Sequence, residues 1–183
     1  MTNEAHSLNS FLGAVEGRAY YMARLGTRND ADALDIIQDS MSRFVERYSG
    51  KPAAEWKPLF YRVLHNRIAD WRRREFVRSR LLLFSEALGR GRRESSAEMV
   101  YDPPDPNEDS AEDAATTSMF VKALAAALTM LPLRQRQTFL MRAWEGMSVT
   151  ETAVAMNCSE GSIKTHYSRA LTTLKIHLEG YRP

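Results

Sequence analysis

The chain has 183 residues, 44% of them hydrophobic, and a formal net charge of +2. That length supports one core or two small ones. A single cysteine excludes an intramolecular disulfide or a cysteine-based metal cluster, and no stretch reaches the ~20 apolar residues of a membrane span.

The N-terminus, "MTNEAHSLNSFLGAVEG", lacks a basic start followed by an apolar run, so a cytoplasmic protein is expected. Helical periodicity then dominates the chain. Leu12, Val15, Ala19 and Met22 predict a first helix, broken by Gly26 and "TRND". Leu34, Ile37, Met41, Phe44, Val45 and Tyr48 predict a second, ended by "SGKP". Phe60, Leu64, Ile68 and Trp71 predict a third, running into "RRRE". These make one helical unit over residues 8–80.

Next, "LLLFSEALGRGRRESSAEMV" is expected to hold a short helix at its start. "YDPPDPNEDSAED" has three prolines and six acids in thirteen residues, which opposes both helix and burial. Residues 81–117 are read as a flexible acidic linker. Val121, Leu124, Leu128 and Leu131 open a second unit, residues 118–180. Pro132 starts a new helix carrying Leu133, Leu140 and Trp144. The expected fold class is all-α, two small helical domains on a flexible tether.

The charge is unevenly spread. Residues 62–93 hold ten arginines against three acids; residues 94–121 hold eight acids and no base. Residues 134–183 hold seven Lys/Arg against four acids. Two basic regions around an acidic one suggest two anion-binding modules.

"MNCSEGSIKTHYSRAL", residues 156–171, reads as the turn and second helix of a helix-turn-helix. Ser159 suits the helix N-cap, and Asn157 tolerates the left-handed conformation that ends the preceding helix. Val149, Ala153 and Met156 give the supporting helix an apolar face. Ile163, Tyr167, Ala170, Leu171, Leu174 and Leu178 form one stripe of the longer helix. The opposite face carries Ser162, Thr165, Arg169 and Thr172, flanked by Lys164, His166 and Lys175. Short polar groups with interspersed bases suit a major groove. Cys158, in the turn, reads as a small packed residue.

The run "LPLRQRQTFLMRAWEGMSVTETAVAMNCSEGSIKTHYSRAL" resembles region 4 of sigma factors of the sigma-70 family, in particular the short extracytoplasmic-function (ECF) group. Leu131-Pro132, Arg134-Gln135-Arg136, Glu145-Gly146-Met147-Ser148, Cys158-Ser159, Gly161-Ser162-Ile163-Lys164 and Ser168-Arg169-Ala170 carry the resemblance in order. It implies that this domain reads the minus-thirty-five promoter element through Ser162, Lys164, Thr165, His166 and Arg169. "DADALDIIQDSMSRFVERY" resembles the region 2 helix that binds the clamp helices of core polymerase, which implies Asp35, Gln38, Asp39 and Ser42 in that contact.

"FYRVLHNRIADWRRRE" is similar to the family's promoter-melting segment. Arg62, Asn66, Asp70 and Arg73 recur at helical spacing and share a face. An Asn amide offers both donor and acceptor to the edge of a flipped base. Five arginines from 72 to 80 can neutralise phosphates. The resemblance implies minus-ten contacts by Arg62, Asn66, Asp70, Arg73 and Arg74. The family commonly has Trp before the segment's Tyr-Arg; this chain has Leu59-Phe60 there.

The implied function is a non-catalytic specificity subunit. It binds core RNA polymerase, through the beta-prime clamp helices and the beta flap, and promoter DNA. A separate anti-sigma factor is among the partners the resemblance allows; no membrane insertion, cofactor or metal is expected. The histidines lie at scattered positions 6, 65, 166 and 177. A DNA-binding regulator with a ligand-sensing or dimerising N-terminal domain would leave the arginine-rich third helix idle. An enzyme acting on nucleic acid would need a carboxylate or histidine cluster that the sequence does not show.

Overall fold

The computed structural model describes the backbone of residues 2–87 and 111–181, and side chains of residues 7–81 and 119–181. Every regular element among them is helical. α1 spans Thr2–Thr27, α2 Asp30–Tyr48, α3 Ala53–Ala87, α4 Ala111–Met130, α5 Leu133–Phe139, α6 Val149–Met156 and α7 Glu160–His177. Residues 81–87 and 111–117, expected within the tether, are helical: α3 runs on to Ala87 and α4 starts at Ala111. Residues 88–110, with the acidic run "YDPPDPNED", lie outside the described residues.

The first unit packs α1, α2 and α3 around Val15, Ala19, Met22, Ile37, Phe44, Phe60 and Leu64, all buried. Phe11, Phe44, Trp56 and Phe60 form an aromatic cluster with ring centroids 5.6–6.0 Å apart. The break between α1 and α2 is built from short polar bonds. Asn29 caps α2 by accepting from the Asp32 N–H at 3.0 Å, and Thr27 donates to the Ala23 and Asn29 carbonyls. Gly26 is needed for close approach: a Cβ there would stand 2.7 Å from Cγ2 of Ile68 on α3.

The second unit is α4 to α7. Ser148 and Glu151 form a reciprocal capping box at the start of α6, with bonds of 3.1 and 2.6 Å. Asn157 ends α6 at φ 49, and Ser159 caps α7 by accepting from the Ser162 N–H at 3.2 Å. Both sequence expectations for the turn hold. Between α5 and α6, residues Leu140–Trp144 make a π turn in which the Glu145 N–H donates to the Leu140 carbonyl. Gly146 follows at φ 64, a conformation that suits glycine.

Two apolar stripes differ from expectation. Leu34 and Val45 of α2 are 51% and 37% exposed, and the buried face turns instead through Ala33, Ile36, Ile37, Ser40 and Phe44. Leu171 of α7 is exposed, while Ile163, Ala170 and Leu174 carry the burial. The two units pack against each other. α6 lies along α3, α1 touches α4, and the buried apolar residues of both units form one continuous cluster.

Candidate nucleic-acid interface

α7 presents its polar face outward. Lys164, Thr165 and Arg169 are exposed, and Ser162 and His166 are half-buried. The Thr165 hydroxyl donates to the Gly161 carbonyl at 2.9 Å, and Ser162 shares a hydroxyl–hydroxyl bond with Ser159 at 2.9 Å. Local bonds thus hold these short side chains close to the helix, which leaves Lys164 and Arg169 as its reaching groups. Burial, with the Arg134 and Arg169 charges, lowers the pKa of His166, so a neutral imidazole sits among these cations. Tyr167 is held by stacking on Phe139 and by the Arg142 guanidinium over its ring, 5.7 Å from the centroid.

The second candidate face is on α3. Asn66 is exposed, as the sequence implied. Asp70 is half-buried and pairs with Arg73 at 3.2 Å, while Arg74 Nε donates to the Asp70 carbonyl at 3.4 Å. Arg62 is engaged elsewhere: its Nε donates to the Val154 carbonyl of α6 at 2.9 Å. Asn66, Asp70 and Arg73 thus lie along one stretch of α3, while Arg62 at its N-terminal end holds the second unit. Leu59, Phe60, Tyr61 and Trp56 are all buried, and the Trp56 indole donates to the Lys51 carbonyl at 2.7 Å.

The third face is on α2. Asp35, Gln38 and Ser42 are exposed. Asp39 is half-buried and already pairs with Arg43 at 2.9 Å and with Arg67 of α3. Leu34 and Val45 lie beside Gln38 on the same side of the helix. Sequence reading assigned those two to the core; the structure leaves both exposed on the side that carries Gln38.

A charge cluster between the units was missed altogether. The Glu145 side chain is completely buried and pairs with Arg18 of α1 at 2.6 Å and Lys57 of α3 at 3.3 Å. Lys57 also donates to the Glu145 carbonyl oxygen. Burial and the Glu145 carboxylate push the Tyr61 hydroxyl far above its usual pKa. Nearby, Tyr21 and Trp144 meet edge to face at 4.7 Å. At the far end of the contact Arg136 donates to the Leu25 carbonyl of α1. Glu145 was singled out in the sequence as part of the Glu145-Gly146-Met147-Ser148 motif, but nothing local in that motif points to partners on α1 and α3.

This arrangement is one long basic helix and one capped helix-turn-helix, held together by α6. Residues 122–174 match the family model described as Sigma-70, region 4. An RNA polymerase sigma-E factor of Streptomyces antibioticus is 30% identical over 148 residues, which cover 81% of this chain and 71% of that protein. The chain belongs to the sigma-70 family of RNA polymerase sigma factors. It falls in the ECF group: the ECF sigma factor BldN of Streptomyces coelicolor is 30% identical over 162 residues, covering 85% of this chain and 53% of that one. The sigma factor RpoE of Bartonella quintana, solved with the anti-sigma factor NepR, shares the fold with a TM-score of 0.68 at 22% identity, over 100% of both chains. As a sigma factor, this protein directs transcription initiation at promoters. None of its described helices is long and apolar enough to cross a membrane.

Proposed function

We propose that α2 carries the contact with core RNA polymerase, α3 the minus-ten contact and strand opening, and α7 the minus-thirty-five contact. The sigma factor performs no chemistry in this reading and works beside polymerase in the cytoplasm. The observation that carries the reading is the exposed Asn66 amide, set in line with Arg73 on a helix whose Trp56, Phe60 and Tyr61 are turned inward. An exposed amide between cations suits an unstacked base held by its Watson–Crick edge, with phosphates neutralised on either side.

Distance adds a second requirement. Two promoter elements about 25 base pairs apart are separated by about 85 Å, at 3.4 Å per pair. Here α6 packs against both α3 and α7, so the two faces are one helix apart. Both elements cannot be read in this closed arrangement. The units separate on binding core polymerase, and Arg62 then leaves Val154 and becomes available to DNA. An anti-sigma factor that favours the closed arrangement would act by mass action on the same equilibrium.

The test is reconstitution. Core polymerase with the sigma factor is expected to transcribe specifically from a subset of genomic fragments, with start sites downstream of a shared pair of elements. DNA binding and footprinting by the sigma factor alone, with no change on adding core, would contradict the assignment and favour a simple regulator.

A further inference from the structure

A cleft of about 540 Å³ opens between the end of α1, the basic stretch of α3 and the α4–α5 turn. Its volume lies within the range of about 300–1,000 Å³ typical of small-molecule sites. Three guanidinium groups, those of Arg28, Arg72 and Arg136, line it. Among the described lining residues Glu75 is the sole carboxylate, and it is shared with Arg78 at 3.8 Å. No described carboxylate forms an ion pair with Arg28, Arg72 or Arg136.

Arg136 is only 4% exposed. Its terminal nitrogens donate to the Leu25, Thr129 and Leu131 carbonyls, and its buried Nε has no hydrogen-bond partner. Burial, then the charges of Arg72 and Arg28, pull its pKa down to about 10. Three like charges crowd one cleft that offers, among the described residues, only the Glu75 carboxylate, so the cleft suits an anion. Arg28 is further held at φ 59, a left-handed conformation unfavourable to a residue with a Cβ.

The remaining walls are aromatic. Trp71 lines the cleft, and so does Phe76, which is 62% exposed and packs into neither unit. Arg80 lies over the Phe76 ring at 5.7 Å. Guanidinium groups suit phosphates, and an exposed aromatic face suits a base. Residues of both units form the cleft, so it is complete only while they are packed together.

We infer that this cleft binds a nucleoside polyphosphate, with the phosphates between Arg28 and Arg72, in the field of the buried Arg136 charge, and the base against Phe76 and Trp71. Because the closed form alone has the complete site, the ligand would stabilise that form by linkage. A duplex is too broad to enter a cleft of this size. The inference rests on the closed packing and not on promoter recognition.

Calorimetry on the full chain at about 50 mM salt, where screening is modest, tests it with ATP, GTP, inorganic pyrophosphate and a short duplex DNA. At least one nucleotide is expected to bind saturably, one per chain, and about ten-fold more tightly than pyrophosphate. Arg28→Ala with Arg72→Ala should weaken nucleotide binding about ten-fold or more. Phe76→Ala should bring the nucleotide down to the pyrophosphate level. Glu75→Gln should strengthen binding, a gain that misfolding cannot imitate. Arg47→Ala with Lys51→Ala, a distant pair outside the cleft lining, should leave nucleotide binding unchanged. The inference is overturned by absent or non-saturable nucleotide binding, or by an unaffected folded Arg28/Arg72 variant. An equal loss in the distant pair, pyrophosphate binding as tight as the nucleotide, or duplex DNA alone using these arginines would also overturn it.

Discussion

Arg169 and Glu145 carry charge under opposite conditions. Arg169 is exposed on the outer face of α7, where it costs the fold little and is free to meet a base edge. Arg169→Ala is expected to weaken promoter binding by the holoenzyme by about 1–3 kcal/mol and relax preference at one position of the minus-thirty-five element. Competition among promoters with single changes in that element measures this, and an unchanged preference would remove Arg169 from the reading face. Glu145 is buried between two cations from the other unit. Removing one partner of a buried ion pair costs about 3–5 kcal/mol when the other charge stays dry. Arg18 and Lys57 are partly exposed and can rehydrate, so Glu145→Gln should cost about 1–2 kcal/mol. Urea denaturation gives the loss, and small-angle scattering should show a larger radius of gyration as the units part. A variant as stable and compact as the parent would show that the cluster does not hold them.

Among the elements, α6 and α7 were the most legible, because their ends are chemically marked. The Ser148–Glu151 box, Asn157 and Ser159 each specify one backbone conformation. Ser148→Ala should lower stability by about 1 kcal/mol, read from the urea midpoint, because the Glu151 N–H loses its acceptor. The phase of α2 was harder to read. Leu34 and Val45 fit an apolar stripe, yet the structure places them outside the core. Periodicity cannot separate an apolar side chain that packs within its own fold from one reserved for a partner. The same surface makes a prediction. Leu34→Asp should leave thermal stability within about 0.5 kcal/mol of the parent, because the site is exposed. It should reduce affinity for core polymerase about ten-fold or more, as an apolar anchor of an interface does. Normal core binding by the folded variant would move the contact away from this face. Asp39 is a poorer probe, since its change would also break the pairs with Arg43 and Arg67.

For the whole molecule, the helical class and the two candidate DNA faces followed from the sequence, whereas their packing did not. The contact rests on pairs such as Lys57 with Glu145 and Arg62 with Val154, 88 and 92 residues apart, and such pairs have no local signature. His65 belongs to the same contact. It is buried in α3, beside Gln137 and near Arg134 of the other unit, and burial lowers its pKa from 6.5. The separated form binds this proton more readily than the closed one. Closure is therefore favoured above pH 6.5 and weakens as pH falls from 6.5 through the lowered pKa. Interdomain fluorescence transfer should report more separation at acidic than at neutral pH, with a smaller change in His65→Gln; equal pH responses would exclude His65. The central claim is that this sigma factor opens promoters by capturing a base on α3, and permanganate reactivity of promoter thymines with core polymerase tests it most directly. The parental protein should open duplex promoters only with core present. Asn66→Ala, folded and within about 0.5 kcal/mol of parental stability, should open them markedly more slowly. Opening by the folded Asn66→Ala protein at the parental rate would contradict base capture at this site.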